Sequence, residues 1–204
     1  MPPLKFFPRK GIAFITLCCA QLFSVNLQAV EFEISSMVGQ TFSPELINAS
    51  RTDYFSATDE PNIALAFSWQ DSPTEQGQVL INYISRDFSD DITQTAYSFD
   101  TLYTHFNGVV FFEEKNYITT ASLGLGATYF NSDFDDVIYP SVTASVGTRY
   151  EFSNSLAFIT ELRTYITLTE NDDSLFCQNE TCLAYFKHAL WVDSQISIGL
   201  AYSF

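Results

Sequence analysis

The chain has 204 residues, the size of one ordinary domain, and sets nine Lys and Arg against 24 Asp and Glu for a formal charge of −15. So acidic a balance offers no basic surface to displace counterions from phosphates, which argues against nucleic acid as a partner. Hydrophobic residues make up 47% and aromatic residues 16%, with 20 Phe and 11 Tyr, yet the body of the chain has no long apolar run; alternating strands with one apolar face fit that combination.

Residues 1–29 read as a cleaved signal peptide. Lys5, Arg9 and Lys10 form a positive head, Gly11 to Phe23 is an apolar stretch, and Leu27-Gln28-Ala29 ends on a small residue suited to cleavage. The alternative, a membrane anchor, needs about 20 apolar residues, and this stretch is shorter. Cys18 and Cys19 lie inside it and leave with it. The expected mature domain is 30–204, with six basic residues against 24 acidic, a formal −18.

Beyond the leader, segment after segment alternates with period two. Ile63, Leu65, Phe67 and Trp69 alternate with Ala64, Ala66, Ser68 and Gln70. Ala121, Leu123, Leu125, Ala127 and Tyr129 alternate with Ser122, Gly124, Gly126 and Thr128. Val142, Ala144, Val146, Tyr150 and Phe152 face one way against Ser141, Thr143, Ser145, Gly147, Arg149 and Glu151. Leu156, Phe158, Leu162, Ile166 and Leu168 do so against Glu161, Arg163, Tyr165 and Thr167. A water-soluble sandwich would turn the oily face inward. Here the polar face is rich in Gly, Ala and Ser with isolated charges, which the interior of a narrow barrel accommodates.

Strands are expected near residues 31–42, 62–71, 77–88, 97–112, 117–130, 139–152, 156–168 and 187–204, an even set of eight. Tight connections (71–75, 113–116, 153–155) alternate with longer polar ones (43–61, 89–95, 131–138, 169–186). Short turns belong on the periplasmic side and long loops outside, which puts both termini in the periplasm. In the last long connection Cys177 and Cys182 are close in sequence. In an exported chain they are read as a disulfide, worth about 2 kcal/mol in the chain-entropy model. A metal site there lacks nearby His or Cys to complete a tetrahedral set.

The chain ends Ile196-Ser197-Ile198-Gly199-Leu200-Ala201-Tyr202-Ser203-Phe204, with Tyr202 and Phe204 at the close of an alternating strand. In this it resembles Gram-negative outer-membrane β-barrels, whose final strand with a terminal aromatic is read by the barrel assembly machinery. Tyr103-x-His105-x-x-Gly108, Glu161-Leu162-Arg163-Thr164-Tyr165 and Leu175-Phe176-Cys177 with Cys182 resemble a group of small, porin-like outer-membrane barrel proteins. The resemblance implies an all-β, eight-stranded antiparallel up-and-down transmembrane β-barrel in the outer membrane, in contact with lipid and lipopolysaccharide, and no particular activity.

Parity directs Asn82, Arg86, Tyr103, His105, Asn107, Arg149, Glu151, Glu161, Arg163, Tyr165, Asp193 and Gln195 into the lumen. Glu161 falls opposite Gly147, so pairing with Arg149 or Arg163 is expected. The first reading is a bracing network inside a monomeric barrel with a structural or surface-interaction role. The alternative is a narrow pore for ions or small solutes, lined by Arg149, Glu161 and Arg163, with Gly124, Gly126 and Gly147 leaving space. A lipid-modifying enzyme would need a His with a Ser and an acid near the outer rim, and neither His105 nor His188 has that company in sequence. No enzymatic role and no cofactor is expected. Acidic residues crowd the long loops, and Asp133, Asp135 and Asp136 are a candidate divalent-cation cluster, although their spacing matches no EF-hand.

Overall fold

The structure, a computed structural model, describes residues 31–48, 54–55, 59–89, 96–170, 175–178, 181–182, 184–186 and 188–204, and the compact body begins at Glu31. The proposed leader lies outside the described residues. Eight long strands form the body: β1 (Phe32–Phe42), β2 (Glu60–Ser72), β3 (Glu75–Ser89), β4 (Ala96–Glu113), β5 (Ile118–Ser132), β6 (Asp136–Ser153), β7 (Leu156–Leu168) and β8 (Leu190–Ser203). Each pairs antiparallel with its neighbours in sequence, and β1 pairs with β8 to close the barrel. At the seam the Phe32 amide donates to the Phe204 carbonyl at 3.1 Å, and the Phe204 amide returns the bond at 2.8 Å. Closure leaves no strand edge to be satisfied by solvent.

Alternation decides which way each strand faces. Along β1 the outward Ile34 and Val38 are exposed while Glu33, Ser35 and Met37 are buried. In β8, Val192, Ile196 and Ile198 face out and Trp191, Asp193, Gln195 and Ser197 face in. The outer wall is an apolar belt that extends around the barrel, with Leu123 73% exposed and Leu125 70%. Such an area of contiguous apolar surface is unfavourable in water and favourable against hydrocarbon. Phe32, Phe112, Tyr117, Tyr150, Phe152, Tyr202 and Phe204 are exposed at the short-turn end, a girdle of amphipathic and aromatic rings at one rim.

Short turns join β2 to β3, β4 to β5 and β6 to β7 at the end that holds Phe32 and Phe204. At the opposite end the connections carry structure that periodicity did not anticipate. Leu46–Asn48 pairs with both Tyr54–Phe55 and Ala184–Phe186, and Cys177–Gln178 pairs with Thr181–Cys182. The third connection, expected to be long, is a tight hairpin. Asn131 pairs with Asp136, the Ser132 amide donates to the Asp135 carbonyl at 3.0 Å, and Ser132 Oγ accepts from the amides of Phe134 and Asp135. A serine at the head of a turn caps the backbone in this way, so the strands run further than hydrophobic alternation alone marks.

Candidate functional site

Among the described residues, charged side chains gather in the protein interior at the lumen, which is arranged in levels. At the short-turn mouth, Arg149 Nη1 lies 2.7 Å from Glu33 and Arg149 Nε 3.4 Å from Glu151, while Ser203 Oγ donates to Glu33 at 3.1 Å. Glu151 is exposed at the rim and only borders the lumen. These groups border an open cavity of about 340 Å³.

Next inward, Arg163 and Glu161 form a bidentate pair, with Nε to Oε1 at 2.7 Å and Nη2 to Oε2 at 2.8 Å. Ser145 Oγ donates to Glu161 at 3.0 Å, and Arg163 Nη1 donates to Thr143 Oγ1 at 3.3 Å. Two parallel charge-assisted bonds fix both side chains in one plane. Register places Glu161 opposite Gly147, and of its two expected partners it takes Arg163, while Arg149 turns to Glu33. Glu33 enters from β1, far away in sequence, and parity within the β6–β7 hairpin carried no signal of it.

The middle of the barrel is filled. Tyr103 and Tyr165 stack with ring centroids 4.0 Å apart and planes 10° from parallel, and both rings are fully buried. His105 lies against Tyr165 and hydrogen-bonds Ser141 Oγ through Nε2 at 2.9 Å. The amides of Asn62, Asn82 and Gln195 form a chain across the lumen, Asn62 Nδ2 to Asn82 Oδ1 at 3.1 Å and Asn82 Nδ2 to Gln195 Oε1 at 2.9 Å. Inward glycines do not leave a channel. Neighbours occupy their space: a Cβ on Gly124 would strike the Asn107 side chain, and one on Gly126 the Thr104 carbonyl and His105.

Above the tyrosines, Arg86 is the hub. Its guanidinium is paired with Asp193 and donates to Thr101, Nε donates to Ser43 at 3.0 Å, and Tyr103 OH donates to the same Asp193 oxygen. Both members of the ion pair have no exposed side-chain surface. Arg86 also lies 5.4 Å from the centroid of the Phe99 ring and 6.0 Å from that of Trp191, so its positive charge meets two π faces.

Those rings begin an apolar cap that seals the long-loop end: Phe99, Phe130 and Trp191 from the strands, with Leu46, Leu175, Phe176 and Phe186 from the connections. Trp191 meets Phe99, Phe130 and Phe186 edge-on, the geometry favoured by aromatic quadrupoles. Sequence reasoning missed the cap because Leu175, Phe176 and Phe186 fall in polar connections. The available signal was apolar residues interrupting an otherwise acidic loop.

Cys177 and Cys182 stand directly opposite one another in their two-residue ladder. Asp133, Asp135 and Asp136 occupy the β5–β6 hairpin, where the Asp136 amide donates to Asp135 Oδ1 at 2.9 Å. Among the described residues no three His, Cys, Asp or Glu side chains converge as a metal-binding group. Tyr202 and Phe204 stack on the outer face beside the closing seam. The Ser141–His105 pair, unforeseen from sequence, is buried within the lumen rather than displayed at the lipid rim.

No protein-family model matches the chain, and no curated protein matches it. Solved structures do. The outer membrane protein OprG from Pseudomonas aeruginosa aligns at a TM-score of 0.59 with 11% identity, covering 86% of this chain and 96% of that one. Neisserial surface protein A aligns at 0.57 with 8% identity, covering 85% and 97%. Ail, the attachment invasion locus protein of Yersinia pestis, solved with the heparin analogue sucrose octasulfate, aligns at 0.51 with 11% identity, covering 86% and 99%. At such identities the shared property is the fold: the chain is a closed eight-stranded barrel, as those small outer-membrane proteins are.

Proposed function

We propose that the protein is a closed, monomeric outer-membrane barrel, both termini periplasmic, that presents its long-loop end at the cell surface in a structural or surface-interaction role. The observation that carries this reading is the occluded lumen: a buried tyrosine stack, a buried Arg86–Asp193 pair and an aromatic cap lie in series along it. Eight strands enclose an interior just wide enough for side chains, and here side chains fill it. The cavity at Arg149 opens at the short-turn mouth, and the glycines expected to widen a pore are covered. The pore reading is therefore not adopted, and we assign the chain no reaction.

Lipid and lipopolysaccharide are the proposed contacts of the apolar belt. Tyr202 and Phe204, exposed beside the seam, are the proposed assembly signal, and residues 1–29 the proposed export signal. We also propose the Cys177–Cys182 disulfide, supported by their direct pairing. The acidic loops suit cationic partners rather than the polyanionic ligand of Ail, because a chain of charge −15 repels sulfate groups. Divalent cations remain a proposed partner of those loops, but not through the hairpin Asp133, Asp135 and Asp136, which form no ligand group.

Planar-bilayer recording of the refolded protein tests the reading. Wild type and Arg163→Ala are both expected to be silent, because the tyrosine stack lies beyond Arg163. Discrete openings in wild type, altered by Arg163→Ala, would establish the pore instead.

A further inference from the structure

One part of the lipid-facing wall is recessed. Trp69, Gly77, Gly108 and Leu123 are paired in a row across β2, β3, β4 and β5, all on the outward parity. Two adjacent outward positions thus carry no side chain. The Trp69 indole lies over Gly77, whereas a Cβ on Gly108 would meet nothing within 4 Å. The result is a groove of about 480 Å³ floored by Gly108 and walled by Trp69, Val110 and Leu123.

Two carboxylates, Asp71 and Glu75, close the lower end of this groove, and no basic side chain lines it. Asp71 is exposed on the same parity as Trp69, beside the turn where register breaks between Gln70 and Ser72. The level is set by Trp69, which pairs with Phe32 of the aromatic girdle. Because barrel strands tilt, the row climbs away from this rim, from Trp69 three residues above Ser72 to Leu123 five residues above Ile118, so the carboxylate end lies at head-group depth and the recess over Gly108 runs into the hydrocarbon.

We propose that this groove is a binding site for a single phospholipid whose head group carries an ammonium, of the phosphoethanolamine class. One acyl chain fills the recess over Gly108, and the ammonium meets Asp71 and Glu75 beside the Trp69 π face. Lipids with only a negative head group are disfavoured by the same carboxylates. The inference rests on the membrane reading above and deepens it by naming a selective lipid.

The test is fluorescence quenching in vesicles of mixed phosphatidylethanolamine and phosphatidylglycerol, with one or the other brominated on its acyl chains. The chain has two tryptophans, and Trp191 is buried in the cap, so contact quenching reports Trp69. Brominated ethanolamine lipid is expected to quench beyond its mole fraction, with a preference of roughly threefold over the glycerol lipid. Asp71→Asn with Glu75→Gln should abolish the preference. Gly108→Leu, which fits because the position is open, should abolish the excess quenching by filling the recess. Quenching that follows mole fraction for both lipids, or by neither lipid in protein that floats with the vesicles, as when a second copy covers the groove, overturns the site. Protein that does not float with the vesicles overturns the membrane reading instead.

Discussion

Arg86 and Arg149 make the same kind of contact in different surroundings. Arg86 and Asp193 are wholly removed from solvent, so removing either partner strands a charge that no water reaches. Arg86→Ala is expected to cost about 3–5 kcal/mol, read as the shift in urea unfolding of the refolded protein. Replacing both by apolar residues of similar volume should recover most of that loss. Arg149, at the open mouth, is 12% exposed against 7% for its partner Glu33, so it is partly solvated, and Arg149→Ala should cost less than Arg86→Ala, about 1–3 kcal/mol in the same assay. Equal costs for the two would mean that the interior is wetter than its packing implies.

A strand's worth to the fold depends on the parity of its side chains. Leu123 on β5 and Val146 on β6 are both exposed on the outer wall, at 73% and 57%. Arg at either position should destabilise the inserted barrel by about 2–4 kcal/mol, measured by unfolding in vesicles. Ser122 and Ser145, one step away along the same strands, hydrogen-bond each other at 2.6 Å inside the lumen. A one-residue slip would exchange these faces along the whole ladder, which is why register is so strongly specified here. Eight strands were legible from alternation, each within about three residues of its observed bounds. Their ends were less so: β6 continues to Asp136 through backbone pairing and a serine cap, neither of which hydrophobic period registers.

The whole molecule joins an aromatic cap at one end to an aromatic girdle at the other through continuously paired strands. Each tryptophan reports one end, Trp191 the cap and Trp69 the girdle. Single-tryptophan proteins, Trp69→Phe and Trp191→Phe, should show one common urea midpoint once each variant's own stability change is allowed for by gel mobility. Separate transitions within either protein, fluorescence against mobility, would mean that the cap opens independently of the barrel.

The sequence by itself determined the strand number, the antiparallel order, the parity that turns Arg86, Arg163 and Asp193 inward, and the apolar character of the outer wall. These follow from local periodicity, since successive side chains on a strand must point to opposite faces. Only the tertiary structure decided partners and occupancy. Arg149 finds Glu33 because closure brings β1 across from β6, and Arg163 takes both oxygens of Glu161. Leu46, Leu175, Phe176 and Phe186 leave polar connections to seal the lumen, and Gly77 meets Gly108 to make a groove rather than a wall. Such pairings join residues far apart in the chain, and only closure in three dimensions sets the distances between them.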